Sequence, residues 1–388
     1  MSTPATSLPT LVRLHAIHRR LLALVEPLSD ADYRSQYHRD LSPIGWHLGH
    51  CAFIENLWLR ERVLGDDRLT RGLHDLYLPE RSPKPARGGK LPPKDVLIAR
   101  VRQQSEDNTL LLSGMAGSFG PHPLLADEYL ENFLIQHHAQ HYETMLMVLA
   151  QRALSRHRHE FFPDTRLRPA APLCVTEPVP GGTHRIGGAR PQAFDNELPL
   201  QEIELADFRM ARYPVSNAQF LGFMRAGGYE QPRHWSEAGA RWLQESGTRH
   251  PDHWRQDARG WWYAIGPDGP YELDPAAPVE GLCHYEAEAY AHYAGARLPH
   301  ELEWEAATRL RRLHGTGQAW EWCANAFAPY PGFEAFPYPE YSTPWFDGDH
   351  YVLKGGSRYT RREVRRPSFR NFYLPDKRHI FAGLRLAF

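Results

Sequence analysis

Three histidines, His137, His138 and His141, fall within five positions of "IQHHAQHYETMLMVLAQ", residues 135–151, a stretch whose apolar residues recur at helical spacing. On a helix His137 and His141 are four apart and project from one face, so both imidazoles can reach a single metal ion. His138 points about 100° round the helix and has a different job. A histidine pair alone is ordinary polar surface or a satisfied core group, and a third ligand is needed. The stretch "SPIGWHLGHCAFIENLWLRERVL" supplies His47 and His50, three apart on a shared face, with Ser42 and Pro43 reading as an N-cap and a first-turn proline. Either histidine completes a three-nitrogen set. Three neutral imidazoles leave a divalent ion its full charge and open positions, which suits chemistry more than structure. Glu55 and Glu143 stand at no obvious ligand spacing, so the pattern does not support two histidines plus a carboxylate.

The elements that must position these groups follow from periodicity. At 388 residues the chain exceeds the usual single core, and two domains are expected. Four amphipathic stretches, near 9–28, 44–64, 94–115 and 121–155, predict a helical bundle over residues 1–158, with Pro- and Gly-bearing connections such as "PERSPKPARGGKLPP". The boundary falls in the Pro/Arg-rich segment 156–172. From 172 to 388 the pattern breaks into short β-prone pieces, turns and many aromatics, with helices near 216–226 and 284–295, which predicts an irregular α+β domain. A net charge of −1 with no basic run gives no footprint for nucleic acid. The absence of a long apolar run argues against a membrane, and the N-terminal stretch lacks a signal-like apolar core, so a cytoplasmic location is expected. Cys51, Cys174, Cys283 and Cys323 are scattered without paired spacing, as reduced and mostly buried thiols would be.

"GWHLGH" and "QHHAQHYETML" resemble the DinB-type bundle of the EgtB-type sulfoxide synthases, non-haem iron enzymes of ergothioneine biosynthesis. The resemblance places the ligands at His50, His137 and His141. "VPGGTHRIGG", "FRMARYPVSNAQFLGFMRAGGYEQPRHW", "PVEGLCHYEAEAYAHYAGARLPHELEWEAA", "AWEWCANAF" and the final "LKGGSRYTRREVRRPSFRNFYLPDKRHIFAGLRLAF" resemble the formylglycine-generating-enzyme type of domain, related to C-type lectins. The implied fold is α+β: a DinB-like four-helix bundle followed by a C-type-lectin-like domain with little regular structure. Arg297, Glu303 and Trp304 read as scaffold, and Gly355 and Gly356 as points of close backbone approach. Copper-type formylglycine chemistry needs a cysteine pair near the C-terminal motif, and no cysteine follows Cys323.

What the resemblance implies is an O₂-dependent Fe(II) enzyme that joins sulfur or selenium, from a thiol or a selenosugar donor, to the imidazole ring of hercynine, the trimethyl betaine of histidine. The product class is that of ergothioneine or selenoneine biosynthesis. The family's acid is a tyrosine; among Tyr330, Tyr338 and Tyr341 the best match is Tyr338, with Tyr341 a close second. Gln140, Asn371 and Phe372 take betaine-side positions, where aromatic faces and amide dipoles suit a cation that cannot donate a hydrogen bond. Tyr373 stands where the mycobacterial-type pattern has aspartate, which leaves the donor open. Arg81 and Arg87 lie where γ-glutamylcysteine-using members place arginines; Arg87 is the substrate-binding candidate, with a solvated loop as the competing reading. Two other classes remain: a DinB-type metal-dependent thiol transferase, which needs no C-terminal tyrosine, and a non-catalytic small-molecule-binding protein with structural histidines.

Overall fold

The computed structural model describes residues 6–114, 122–157 and 161–388. Two compact units divide the chain: Met1–Ser155 with Arg190–Gln192, and Arg156–Ala189 with Ala193–Phe388. The expected helix limits at 115 and 121 and the expected domain end at 158 lie outside the described residues. No described helix is long and apolar enough to cross a membrane.

The first unit is helical: α1 (Leu8–Val25), α2 (Asp30–Arg34), α3 (Ile44–Asn56), α4 (His74–Tyr77), α5 (Lys84–Lys90), α6 (Lys94–Gly114) and α7 (Tyr129–Arg156). The four long helices are the four amphipathic stretches, and α3 continues as π-helical turns over Leu57–Val63. Their apolar faces, including Leu14, Leu21, Leu48, Phe53, Leu130 and Met145, bury one core. Three local expectations change. The fourth helix begins at Tyr129, because Asp127 and Glu128 adopt left-handed φ of 52° and 57°. The Glu128 carboxylate there accepts from Ser7 N and Thr10 Oγ1, which holds the break. Helix α3 begins at Ile44 with Pro43 at its cap position and no side-chain cap; the Ser42 hydroxyl accepts from Arg87 instead. The Pro-rich connection contains α5, whose Gly88 passes so close to the Arg34 carbonyl that a Cβ would not fit.

Among the described residues, the second unit carries eleven short strands among turns. They are β1 (Thr176–Val179), β2 (Gly182–Ile186), β3 (Gln201–Leu205), β4 (Phe208–Ala211), β5 (Trp254–Gln256), β6 (Trp262–Gly266), β7 (Gly269–Tyr271), β8 (Trp320–Ala326), β9 (Tyr351–Lys354), β10 (Asn371–Tyr373) and β11 (Ala382–Gly383). The largest sheet runs β10-β9-β8-β11, antiparallel except for β8 with β11. Helices α8 (Asn217–Arg225), α9 (Glu237–Ser246), α10 (His284–Tyr293) and α11 (Glu301–Arg309) complete it. Helices α8 and α10 are the two expected ones, and α11 starts at the "LPHELEWE" scaffold, where Arg297 grips Glu303 with two hydrogen bonds of 2.7 Å. The core is organised by ion pairs as much as by apolar packing. Arg385 holds Glu321, which also accepts from Trp304 Nε1 at 2.6 Å; Arg370 is bidentate to Glu301 at 2.7 Å; Lys354 reaches Glu305 at 3.2 Å. Gly355, with φ of 93°, lies against the Trp304 indole, where a side chain would collide.

Candidate metal centre

The motif "IGWHLGH" explains its own geometry. Gly45 and Gly49 are four apart on α3 and leave a bare strip on which the rings of Tyr33 and Tyr77 lie; a Cβ at either would fall inside a ring. That approach brings the Tyr77 carbonyl to 2.7 Å from His50 Nδ1, which donates to it. The Trp46 indole stacks on the His50 ring, with centroids 4.6 Å apart and planes at 12°, and its Nε1 donates to Leu76 O at 2.7 Å. His50 is thereby fixed in tautomer and in orientation.

Helix α7 brings the other two rings. One ring nitrogen from each of His50, His137 and His141 lies within 4.8 Å of the others, and His50 Nε2 is 3.2 Å from His137 Nε2. The Nδ1 atoms are all engaged: His50 with Tyr77 O, His137 with His138 Nδ1 at 3.3 Å, and His141 with His47 Nδ1 at 3.0 Å. Three Nε2 atoms are left for a common occupant. Burial pushes the imidazoles toward the neutral form, with His50 and His47 down to about 3 and His137 and His141 well below the ordinary histidine value; the neighbouring rings add to the effect. Where each ring carries its one proton on Nδ1, the Nε2 lone pairs of His50 and His137 face each other at 3.2 Å, an arrangement that a cation between them would relieve. The donor set therefore fits a divalent ion. Cys51 Sγ also lies near His137 and His138, and burial raises its thiol well above the ordinary value.

Behind the three rings is a polar network that the sequence did not disclose. Glu55 Oε2 meets His138 Nε2 at 3.2 Å and His18 Nε2 at 2.6 Å, while Asn108 Nδ2 donates to Oε1 at 2.8 Å. Asn108 Oδ1 in turn accepts from Arg60 Nε at 2.6 Å. Burial alone would raise the Glu55 carboxyl, but the adjacent His18 and the imidazole hydrogen bonds outweigh it and hold the group far below the usual carboxylate range. The partners lie 37, 53 and 83 residues from Glu55, separations that carry no periodic signal.

The remaining candidates fall at separate places. Gln140 sits on α7 directly before His141. Asn371, Phe372 and Tyr373 form β10, an edge strand, where Phe372 stacks on Phe327 at 4.2 Å and Tyr373 meets His379 edge-on at 6.1 Å. Tyr338 caps and Tyr341 ends a single 3₁₀ turn, Pro339–Tyr341, which is followed by the buried Ser342, whose hydroxyl donates to Asp195 at 2.6 Å. Tyr341 stacks on Phe194 at 4.5 Å, and Tyr338 lies edge-on to Tyr341 at 6.4 Å. Tyr330 is buried against the Arg370 guanidinium, 4.3 Å from the ring centroid, as a core residue. Arg87 is no part of a solvated loop: it is buried, donates to Ser42 Oγ and to the carbonyls of Pro79 and Ser82, and lies 3.9 Å from the Trp46 ring centroid. Arg81 is exposed and pairs with Asp75 at 3.6 Å.

Residues 13–145 match the DinB superfamily, and residues 165–316 and 313–388 match the sulfatase-modifying factor enzyme 1-like domain. A histidine-centred bundle joined to that domain defines the class of protein, and the expected fold class is borne out. Hercynine oxygenase of Mycolicibacterium thermoresistibile is 33% identical over 95% of this chain and 92% of its own length. That of Mycolicibacterium smegmatis is 32% identical over 95% and 96%, and ergothioneine biosynthesis protein 1 of Schizosaccharomyces pombe is 28% identical over 50% and 27%. The chain belongs to the hercynine oxygenase family.

Proposed function

We propose that this protein is an oxidoreductase acting on hercynine, which uses Fe(II) and O₂ to join a sulfur or selenium donor to the imidazole ring. The observation that carries the reading is the convergence of His50, His137 and His141 with every Nδ1 tied off, in a chain of this family. Bound Fe(II) would supply Lewis acidity and one-electron chemistry toward O₂. The helical domain, residues 1–158, would hold the ion through three neutral imidazoles and so leave its charge to the ligands. In the domain over 172–388, Tyr338 is assigned as the acid that holds a proton at its hydroxyl for the reduced oxygen, with Tyr341 as second choice. Gln140, Asn371, Phe372 and Tyr373 are assigned to hercynine, their dipoles and ring faces suiting a trimethylammonium group. Arg87 keeps a supporting place through Trp46 rather than a free charge for substrate.

The test is an aerobic assay of Fe(II)-loaded protein with hercynine and, separately, cysteine, γ-glutamylcysteine and a selenosugar, read by mass spectrometry. A hercynine adduct with one donor is the expected result and identifies the chalcogen. Unreacted hercynine with every donor, despite stoichiometric iron, would overturn the reading and favour a thiol transferase. Tyr338→Phe is expected to retain hercynine binding and to suppress or divert adduct formation; an unchanged rate and product would move the acid to Tyr341.

A further inference from the structure

The buried network around Glu55 lies outside the reaction just described, and its hydrogen-bond directions can be worked out atom by atom. If His137 presents Nε2 to an ion, its proton is on Nδ1 and is donated to His138 Nδ1, 3.3 Å away. His138 then accepts at Nδ1, so its own proton is on Nε2 and is donated to Glu55 Oε2 at 3.2 Å. His18 Nε2 also faces Oε2, at 2.6 Å, and its Nδ1 is buried with no hydrogen-bond partner among the described residues; a proton on Nε2 serves the carboxylate, whereas one on Nδ1 would find no acceptor among them. Asn108 supplies the remaining donor to Oε1 and passes the contact on to Arg60. Every direction agrees with the next, and only one tautomer of each ring satisfies the chain.

The same groups exclude a competing assignment. His18, Glu55 and His138 offer three ligand atoms within 4.8 Å and could be read as a second metal site. The directions above fill the spaces between those atoms with protons, and His138 Nδ1 is already spent on His137. Glu55 is thus an acceptor of three donors rather than a ligand.

We infer that Glu55 is a positioning residue for the metal centre: acting through His138, it fixes His137 with Nε2 toward the ion and sets a buried carboxylate charge behind an otherwise neutral ligand set. This rests on the metal reading proposed above. A carboxylate one imidazole removed from a ligand raises that ligand's basicity and favours the higher charge on the ion. Both effects can be measured without turnover.

Metal-free full-length protein is titrated with Fe(II) without oxygen, and the Fe(III)/Fe(II) midpoint potential of the loaded protein is measured, for wild type, Glu55→Gln and His138→Leu. Glu55→Gln keeps the shape and removes the charge; His138→Leu keeps the charge and cuts the bridge. The expected result is one equivalent of iron throughout, with both variants binding about 10- to 100-fold more weakly and Glu55→Gln showing a higher potential. Unchanged affinity and potential in folded variants would overturn the inference and leave Glu55 a packing group. A second equivalent in wild type that is lost in Glu55→Gln would overturn it too, by making Glu55 a ligand. If Glu55→Gln does not fold, the affinity of His138→Leu decides alone. Failure of wild type to bind iron is a separate outcome, which removes the metal reading itself and with it this inference.

Discussion

At the scale of single residues, His47 and His50 separate two roles that their shared motif does not. Both are buried on one turn of α3, yet His50 turns Nε2 toward His137 while His47 meets Nδ1 of His141. His50→Ala removes a donor from the centre and is expected to abolish stoichiometric metal binding. His47→Ala removes only the partner that orients His141, a loss of about 10- to 100-fold in affinity. Metal content by mass spectrometry, alongside far-UV circular dichroism, ranks the two; the reverse order would exchange their assignments. The spacing of the histidines was readable because helical periodicity puts four-apart residues on one face. The choice between His47 and His50 came from a resemblance, since both lie on the same face and the partner rings belong to a helix some ninety positions further on. The role of Glu55 is not legible in the sequence, because nothing local announces a partner on α1 or α6.

At the scale of elements, the bare strip on α3 governs the ligand geometry. Gly49→Ala would push the Tyr77 ring off the helix and carry the Tyr77 carbonyl away from His50 Nδ1. Overpacking of this kind costs about 1–3 kcal/mol. A lowered melting temperature together with weaker Fe(II) binding is expected; a loss of stability with unchanged binding would show that the carbonyl contact is dispensable. The four long helices were legible because their apolar residues recur with the helix period over three turns or more. Their ends were less so. The start of α7 is set by a left-handed break at Asp127 and Glu128, fixed by contacts to residues 7 and 10, and the start of α3 by a serine drawn away to Arg87. Both depend on chain segments far off in sequence, which local pattern cannot see.

At the scale of the whole molecule, the C-terminal unit relies on buried carboxylates paired with arginine, and that predicts its response to acid. Burial would raise Glu301 and Glu197, but Arg370 and Arg366 outweigh it and hold both below the ordinary glutamate value of 4.5. A group whose folded value is depressed adds stability above its unfolded value and loses it as pH falls through the folded one. The melting temperature is therefore expected to be steady near neutrality and to fall progressively below about pH 4.5. Glu301→Gln leaves the Arg370 guanidinium buried without its counter-charge, at a cost of about 3–5 kcal/mol at neutral pH, and should also flatten the acid slope. An unaltered slope would locate the acid sensitivity elsewhere. These pairs join residues 69 and 169 positions apart, so the domain's aromatic and turn-rich composition was visible in the sequence while its ionic core was not.

The hydrogen bond from His50 Nδ1 ends on the main chain, at the carbonyl of Tyr77, whereas those of His137 and His141 end on side chains. No codon specifies that acceptor, so no substitution at position 77 deletes it. A saturation screen would find positions 138 and 47 intolerant on account of the groups they carry. The corresponding anchor of His50 would surface only indirectly, as an intolerance of added bulk at position 49.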